Sequence, residues 1–176
     1  MPISFYDISV GQYLRGLKVV SHLLEVAKAH AAAKNIPLDD LVEWRLIDDM
    51  NPFSFQVQYV CVVAETFLKN VAHLEVPERE GNEKTFAELE ALVVSTSELL
   101  DGIDRASIEG QEEKIASQPE TFNKWGQFTG FENLFGSSLP NFYFHLVTAY
   151  DILRAKGVEV AKRDYLRPHF ADFVKN

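Results

Sequence analysis

Four stretches of the chain place apolar residues three and four positions apart, with polar and charged residues between them. This spacing puts the apolar side chains on one face of a helix. The stretches cover residues 8–34, 53–74, 86–100 and 140–156. The pattern therefore predicts four long helices and an all-α fold.

Several residues bear on where these helices begin and end. Thr85 and Glu88 have the spacing of a capping box, in which each side chain accepts a backbone N–H at the start of a helix. Gly157 follows the last helix, where glycine commonly ends one. Gly11 and Gly16 weaken the early turns of the first helix by roughly 1 kcal/mol each relative to alanine. We therefore expect packing to hold this helix.

The segments between the helices are long and differ in character. A short helical piece is expected over residues 38–44, and a polar tail, 159–176, closes the chain. The connection 105–136 combines an acidic stretch with aromatic side chains, which either plug one end of the molecule or form a lid over a ligand. These aromatic residues are Phe122, Trp125, Phe128, Phe131 and Phe135.

Four helices joined by connections that do not cross predict an antiparallel four-helix bundle, because amphipathic helices bury their apolar faces against one another. The first and last connections are long enough to cross an end of this bundle. The chain has 176 residues, the length of one domain. We expect residues 1–176 to form a single helical-bundle domain.

Charge and composition bear on which molecules the protein binds and on its location in the cell. The formal net charge is −9, and an acidic surface repels phosphate backbones and anionic lipid, so we expect neither nucleic acid nor a membrane as a partner. No secretory signal is visible, and no apolar run approaches the roughly 18 to 20 residues of a membrane span. The single cysteine, Cys61, lies in an apolar run and is expected to be buried and unreactive. These features favour a cytoplasmic protein.

Histidine is the residue type with the clearest chemical potential in this sequence. The histidines are His22, His30, His73, His145 and His169. No two are three or four positions apart, so the sequence contains no local pair of metal ligands. His145 is flanked by aromatic residues, and we expect it to point into the bundle and to stay neutral at pH 7. It is then either a base or ligand, or a core histidine hydrogen-bonded to a neighbouring helix.

Polar residues on the second helix are further candidates for a site. Gln56 and Gln58 lie among apolar residues. A buried glutamine must satisfy up to four hydrogen bonds, so each either pairs across the bundle or faces a wet pocket. Tyr59 and Tyr150 are the remaining candidates for contacts in a pocket near His145.

Several segments resemble the signature of the DUF1993 family, a set of small uncharacterised proteins of bacteria and fungi. The segments are 45–53 followed by 56–58, 85–89, 139–154 and 162–166. That family is similar to the DinB/YfiT-like superfamily, whose members are four-helix bundles with an up-down-down-up arrangement and are often dimers. The resemblance implies a bundle of this kind and a homodimer.

The resemblance also bears on metal binding. Many members of the superfamily bind a divalent metal through a histidine on the second helix and an H-x-x-x-H pair on the fourth. By position, His145 matches the first histidine of that pair, Ala149 takes the place of the second, and the second helix offers only Gln56 or Gln58. We therefore predict no zinc or nickel and no other cofactor. The loss of these ligands also argues against the thiol-dependent transferase and hydrolase activities of the metal-binding relatives.

The sequence leaves three functions open. The first is an uncharacterised DUF1993-type bundle that binds a small molecule in its interior near His145, Gln56 and Tyr150. The second is a transferase, isomerase or lyase that uses His145 as a base, either without metal or with an atypical metal site. The third is a protein-interaction module whose bundle face binds a partner chain.

Overall fold

The computed structural model describes residues 3–117 and 126–171. The α-helices in these ranges are α1 (Phe5–Ile8), α2 (Val10–Lys34), α3 (Phe53–Asn70), α4 (Phe86–Asp101), α5 (Arg105–Ile108), α6 (Gly130–Asn133), α7 (Leu139–Ala155) and α8 (Lys162–Ala171). A 3-10 helix, Leu38–Glu43, precedes α3, and a π-helical turn, Leu134–Ser138, leads into α7. No β-strand occurs in these ranges, where Ile115 and Thr129 form an isolated bridge.

The long helices α2, α3, α4 and α7 pack into a bundle, which confirms the predicted all-α fold. α3 packs against both α4 and α7, and α2 contacts α4 and α7. The ring of Tyr13 on α2 lies 5.3 Å from that of Phe67 on α3 and 5.0 Å from that of Phe142 on α7. All three side chains are buried. In the described part of the chain, no helix combines the length and apolarity needed to cross a membrane.

α2 and α7 approach each other closely at Gly16. A Cβ atom added there would lie 2.2 Å from Cε1 of Phe142 and 3.2 Å from Cδ1 of Leu146. The first distance is a steric overlap, and a close-packed core has little room to relieve it. Glycine lowers the intrinsic stability of α2 at this position, yet it allows the packing that holds the helix in place.

The start of the first helix differs from the prediction at Ser9. Its hydroxyl donates a hydrogen bond to the carbonyl of Phe5, 2.6 Å away. A serine side chain that bonds to the backbone in this way competes with regular helical hydrogen bonding. The chain therefore forms the short helix α1 first, and α2 begins after Ser9.

The ends of the other helices follow the predictions more closely. Thr85 and Glu88 form the predicted capping box at the start of α4. Gly157 follows α7 with a φ angle of +87°, which glycine adopts without strain. The second long helix ends at Asn70 rather than at residue 74, and His73 has a left-handed φ angle of +55°.

The tail 159–176 contains a helix, α8, that its polar composition did not predict. α8 packs against α2 but has no fully buried residue, so it lacks the apolar stripe that identifies the other helices. Asp164 fixes its start, because Oδ2 accepts the backbone N–H of Ala161 at 2.7 Å. Oδ1 of the same carboxylate lies 3.3 Å from Nε2 of His22 on α2. The tail is polar, as expected, and its residues 162–171 form a helix.

The aromatic residues of the connection 105–136 have different surroundings. Phe122 and Trp125 lie outside the described residues. The rings of Phe131 and Phe135 are 4.7 Å apart and are 52% and 45% exposed. Two side chains this exposed do not plug the bundle, so that interpretation is wrong for both. Phe128 is half-buried.

Candidate functional site

His145 of α7 and Gln56 of α3 form a hydrogen bond across the bundle, with 2.7 Å between Nδ1 of the imidazole and Oε1 of the amide. Nε2 of Gln56 donates to the backbone carbonyl of Asn51 at 3.0 Å. A carbonyl can only accept, so the amide nitrogen faces Asn51 and the amide oxygen faces His145. Nδ1 therefore carries the hydrogen, and Nε2 carries the lone pair.

The surroundings of His145 favour its neutral form. The residue is 8% exposed, and burial lowers the pKa of its imidazole to about 4. Aromatic rings surround it, with centroids 4.5 Å away for Tyr59, 5.2 Å for Phe144 and 5.8 Å for Phe55. Within the described residues, Nε2 has no hydrogen-bond partner. At pH 7 this nitrogen is a neutral acceptor. The predicted inward orientation of His145 is confirmed.

The segment before α3 positions Gln56. Arg45 donates from Nη1 to the carbonyl of Met50, and the backbone N–H of Phe53 donates to the carbonyl of Trp44 at 2.7 Å. The side chain of Gln56 is bound to the same segment through the Asn51 carbonyl. These bonds hold the chain in the turn that precedes the helix. The residues of 45–53 thus have a structural role, which includes fixing the partner of His145.

A cleft of about 450 Å³ opens between α3 and the start of α7, and its lining includes neither His145 nor Gln56. One wall is a face of α3, and its members are Tyr59, Val62, Val63, Thr66, Phe67 and Asn70. The other wall comes from the chain before α7 and from the first turn of α7, and its members are Ser117, Phe128, Glu132, Asn133, Gly136, Ser137, Ser138 and Asn141.

Two residues connect the cleft to His145. Tyr59 lines the cleft and contacts the imidazole. Asn141 also lines it and lies four residues before His145 on α7, and residues four apart share a helix face. The ring of Tyr59 therefore borders both the cleft and the histidine, and Asn141 lies about one helical turn from His145 on the same face of α7.

Two of the predicted pocket residues lie elsewhere. Nε2 of Gln58 donates to the carbonyl of Glu83 at 3.0 Å and so anchors the connection between α3 and α4. The ring of Tyr150 faces Tyr165 of α8, with centroids 6.5 Å apart. Tyr150 is five positions from His145, which places it about 140° around the helix. The structure brings together His145, Gln56 and Tyr59, but not Gln58 or Tyr150.

The sequence did not identify most of the cleft. Thr66, Asn70 and Asn133 carry no motif, and polar residues on helix surfaces usually face solvent. The available signals were Tyr59, named as a pocket candidate, Phe128, among the aromatic residues of the connection 105–136, and Asn141, which lies within a segment that resembles the family signature.

The residues at the position of the superfamily's metal site do not fit a metal. Ala149 has no donor atom and is buried, and Nδ1 of His145 is occupied by its bond to Gln56. One free imidazole nitrogen is too few for a zinc site of the usual kind. In the described ranges, no group of three or more His, Cys, Asp or Glu side chains is arranged to hold a metal ion.

Cys61 does not take part in this site. Its side chain is fully buried on α3, as predicted, and burial raises the pKa of the thiol to about 12. The thiolate is the reactive form of cysteine, so the geometry disfavours a nucleophilic role.

Comparison with known proteins places the chain in a family. Residues 5–166 match the domain of unknown function DUF1993. The chain is 34% identical to a DinB family member protein from Shewanella denitrificans. The crystal structure of that protein superposes on this chain with a TM-score of 0.84, and the match covers 92% of this chain and 90% of the other. No protein of curated function matches the chain. The chain thus belongs to the DUF1993 family and has the all-α fold of a DinB family protein.

Proposed function

We propose that this protein binds a small organic molecule in the cleft between α3 and α7. The observation that carries the proposal is the cleft itself, whose lining includes Tyr59, the ring in contact with the buried imidazole of His145. Its volume of about 450 Å³ falls within the roughly 300 to 1,000 Å³ of small-molecule sites.

The two walls of the cleft offer complementary contacts. Val62, Val63 and Phe67 supply apolar surface on α3. The side-chain amides of Asn133 and Asn141 on the other side have no hydrogen-bond partner within the described residues. A carboxamide both donates and accepts, so these groups suit a ligand with polar substituents on an apolar body.

Catalysis by His145 as a base is a weaker candidate. A general base works best when its pKa lies near the operating pH. With a pKa of about 4, His145 is a weak base at pH 7 and a better hydrogen-bond acceptor. A ligand that raises this pKa on binding would revive the enzymatic alternative. The sequence-based expectations of a homodimer and of a cytoplasmic location stay predictions.

A thermal-shift screen against a library of small metabolites tests the proposed binding. The variants Thr66→Trp and Gly136→Trp fill the cleft from opposite walls. Thr66 is exposed on α3, and a Cβ atom at Gly136 meets no atom within 4 Å, so neither change disturbs the core. Val94→Trp, at a 53% exposed position on α4, is the control.

We expect at least one compound to raise the melting temperature of the wild type and of Val94→Trp. The same compound should have no effect on either cleft-filling variant. A screen without any stabilising compound, or stabilisation that persists in both cleft variants, would contradict the proposal.

A further inference from the structure

We infer that the cleft selects organic cations and neutral molecules and rejects anions. This inference rests on the proposed function and names the chemical class of its ligand. It follows from the distribution of charge and of aromatic rings around the cleft, and it makes no use of His145.

Glu132 is the one carboxylate among the described residues that line the cleft, and none of those residues is Lys, Arg or His. Glu132 is also held in place. Its Oε2 accepts the backbone N–H of Thr129 at 2.8 Å, as part of the capping box that starts α6. The other carboxylate oxygen accepts no hydrogen bond within the described part of the chain. A negative charge with an unused oxygen therefore lies at the rim.

An aromatic ring adds to this preference. Phe128 lines the cleft opposite α3, whereas the ring of Tyr59 is stacked on Phe55 and packed against His145. The face of an aromatic ring carries negative electrostatic potential and attracts an ammonium group. The formal net charge of −9 adds a long-range field of the same sign.

An anionic ligand meets the opposite conditions. A carboxylate or phosphate in the cleft would lose its hydration and would lie near Glu132. It would gain no cationic partner among the described residues that line the cleft. Burying a charge without a partner is unfavourable. A neutral molecule avoids this cost, because carboxamides such as those of Asn133 and Asn141 bind either hydrogen-bond donors or acceptors.

Three indole compounds that differ in charge test the inference. Tryptamine is a cation at neutral pH, tryptophol is neutral and indole-3-acetate is an anion, while the ring system is the same. Binding is measured from backbone amide chemical shifts of cleft-lining residues in the ¹⁵N-labelled protein at low salt. An exposed charge interaction of the usual strength corresponds to roughly a fivefold difference in affinity, so we expect tryptamine to bind at least about fivefold more tightly than indole-3-acetate.

Two matched variants test whether Glu132 causes the difference in affinity between tryptamine and indole-3-acetate. Glu132→Gln removes the charge but keeps the capping box, since glutamine also serves at that position. Glu98→Gln removes the same charge from an exposed position on α4, outside the cleft. We expect the first variant to bring the affinities of tryptamine and indole-3-acetate closer together, and the second to leave their ratio unchanged.

The outcomes separate this inference from the proposed function. If indole-3-acetate binds as tightly as tryptamine, or if Glu98→Gln changes the ratio as much as Glu132→Gln does, the charge selection is wrong and the cleft is still a binding site. If none of the three compounds shifts cleft resonances at millimolar concentration, the inference is also wrong. The metabolite screen with the cleft-filling variants then decides separately on the proposed function.

Discussion

Gly16 on α2 lies against the ring of Phe142 on α7, where an added Cβ atom would be 2.2 Å from a ring carbon. Helix propensity favours alanine over glycine by roughly 1 kcal/mol. Overpacking a core costs about 1 to 3 kcal/mol. The steric cost of the added Cβ atom opposes the gain in helix propensity and is the larger of the two. We therefore predict that Gly16→Ala lowers the free energy of unfolding, measured by urea denaturation.

Gly11→Ala is the matched control on the same helix. A Cβ atom there would lie 3.5 Å from Nη1 of Arg15, an ordinary contact. Helix propensity then determines the effect, and the free energy of unfolding of this variant should rise by up to about 1 kcal/mol. Equal stabilisation by both substitutions would contradict the close approach of α2 and α7 at Gly16.

The hydrogen bond between His145 and Gln56 makes a second prediction about stability. His145→Phe leaves Oε1 of Gln56 without a donor, and Gln56 is only 2% exposed. A buried polar atom that loses its partner costs about 1 to 3 kcal/mol. Thermal or urea unfolding should show a loss of this size.

A double-mutant cycle separates that loss from changes in packing. In a Gln56→Met background no acceptor remains, so His145→Phe should cost much less than it does in the wild type. Asn51, whose carbonyl also loses a donor in this background, is exposed and can bind water. Equal costs of His145→Phe in the two backgrounds would indicate that the hydrogen bond contributes nothing.

The titration of His145 provides a third prediction. Its pKa is about 4 in the folded protein, below the 6.5 of an unperturbed histidine. The unfolded state therefore binds more protons between these values, and stability falls as the pH decreases from about 6.5 to about 4. A change of this size in the pKa corresponds to a loss of about 3 kcal/mol in the free energy of unfolding.

NMR of the ¹⁵N-labelled imidazole follows this titration directly. We expect Nδ1 to be protonated and Nε2 bare throughout neutral pH, with a midpoint near 4. His145→Asn, which cannot titrate in this range, should show a smaller loss of stability between pH 6.5 and pH 4 than the wild type. A midpoint near 6.5 would refute the buried, neutral imidazole.

The sequence contained enough information to predict the bundle and the burial of His145, but not the hydrogen-bond partner of that histidine. The flanking aromatics indicated that His145 is buried, and the apolar neighbours of Gln56 left two alternatives, of which the structure has the hydrogen bond across the bundle. Both signals are local, because burial follows from the periodic pattern of one helix at a time.

The cleft was not predictable in the same way. It forms because residues 114–117 and 126–130 are held to each other and to α3 by backbone hydrogen bonds. The N–H of Ser117 donates to the carbonyl of Asn70 at 2.7 Å, and the N–H of Gly130 donates to that of Lys114 at 2.8 Å. Hydrogen bonds between main-chain atoms do not depend on the identity of the side chains, so no sequence pattern predicts them. Gly130 lies so close to the carbonyl of Gln111 that a Cβ atom would be 2.3 Å from its oxygen.

Cys61 gives a fourth prediction, on reactivity. A pKa of about 12 lowers the thiolate fraction near pH 8 by about a thousandfold relative to an exposed thiol, and full burial blocks access as well. The native protein should therefore react with a thiol reagent at least a thousandfold more slowly than the protein in denaturant. Similar rates in the two conditions would contradict the burial of Cys61.

The central claim is that a small molecule binds between α3 and α7, and amide chemical shifts test it most directly. A mixture of metabolites is added to the ¹⁵N-labelled wild type and, in parallel, to Thr66→Trp. We predict shifts concentrated at cleft residues such as Asn70, Asn133 and Asn141 in the wild type, and none in the variant. Shifts confined to other surfaces, or equal shifts in both proteins, would contradict the claim.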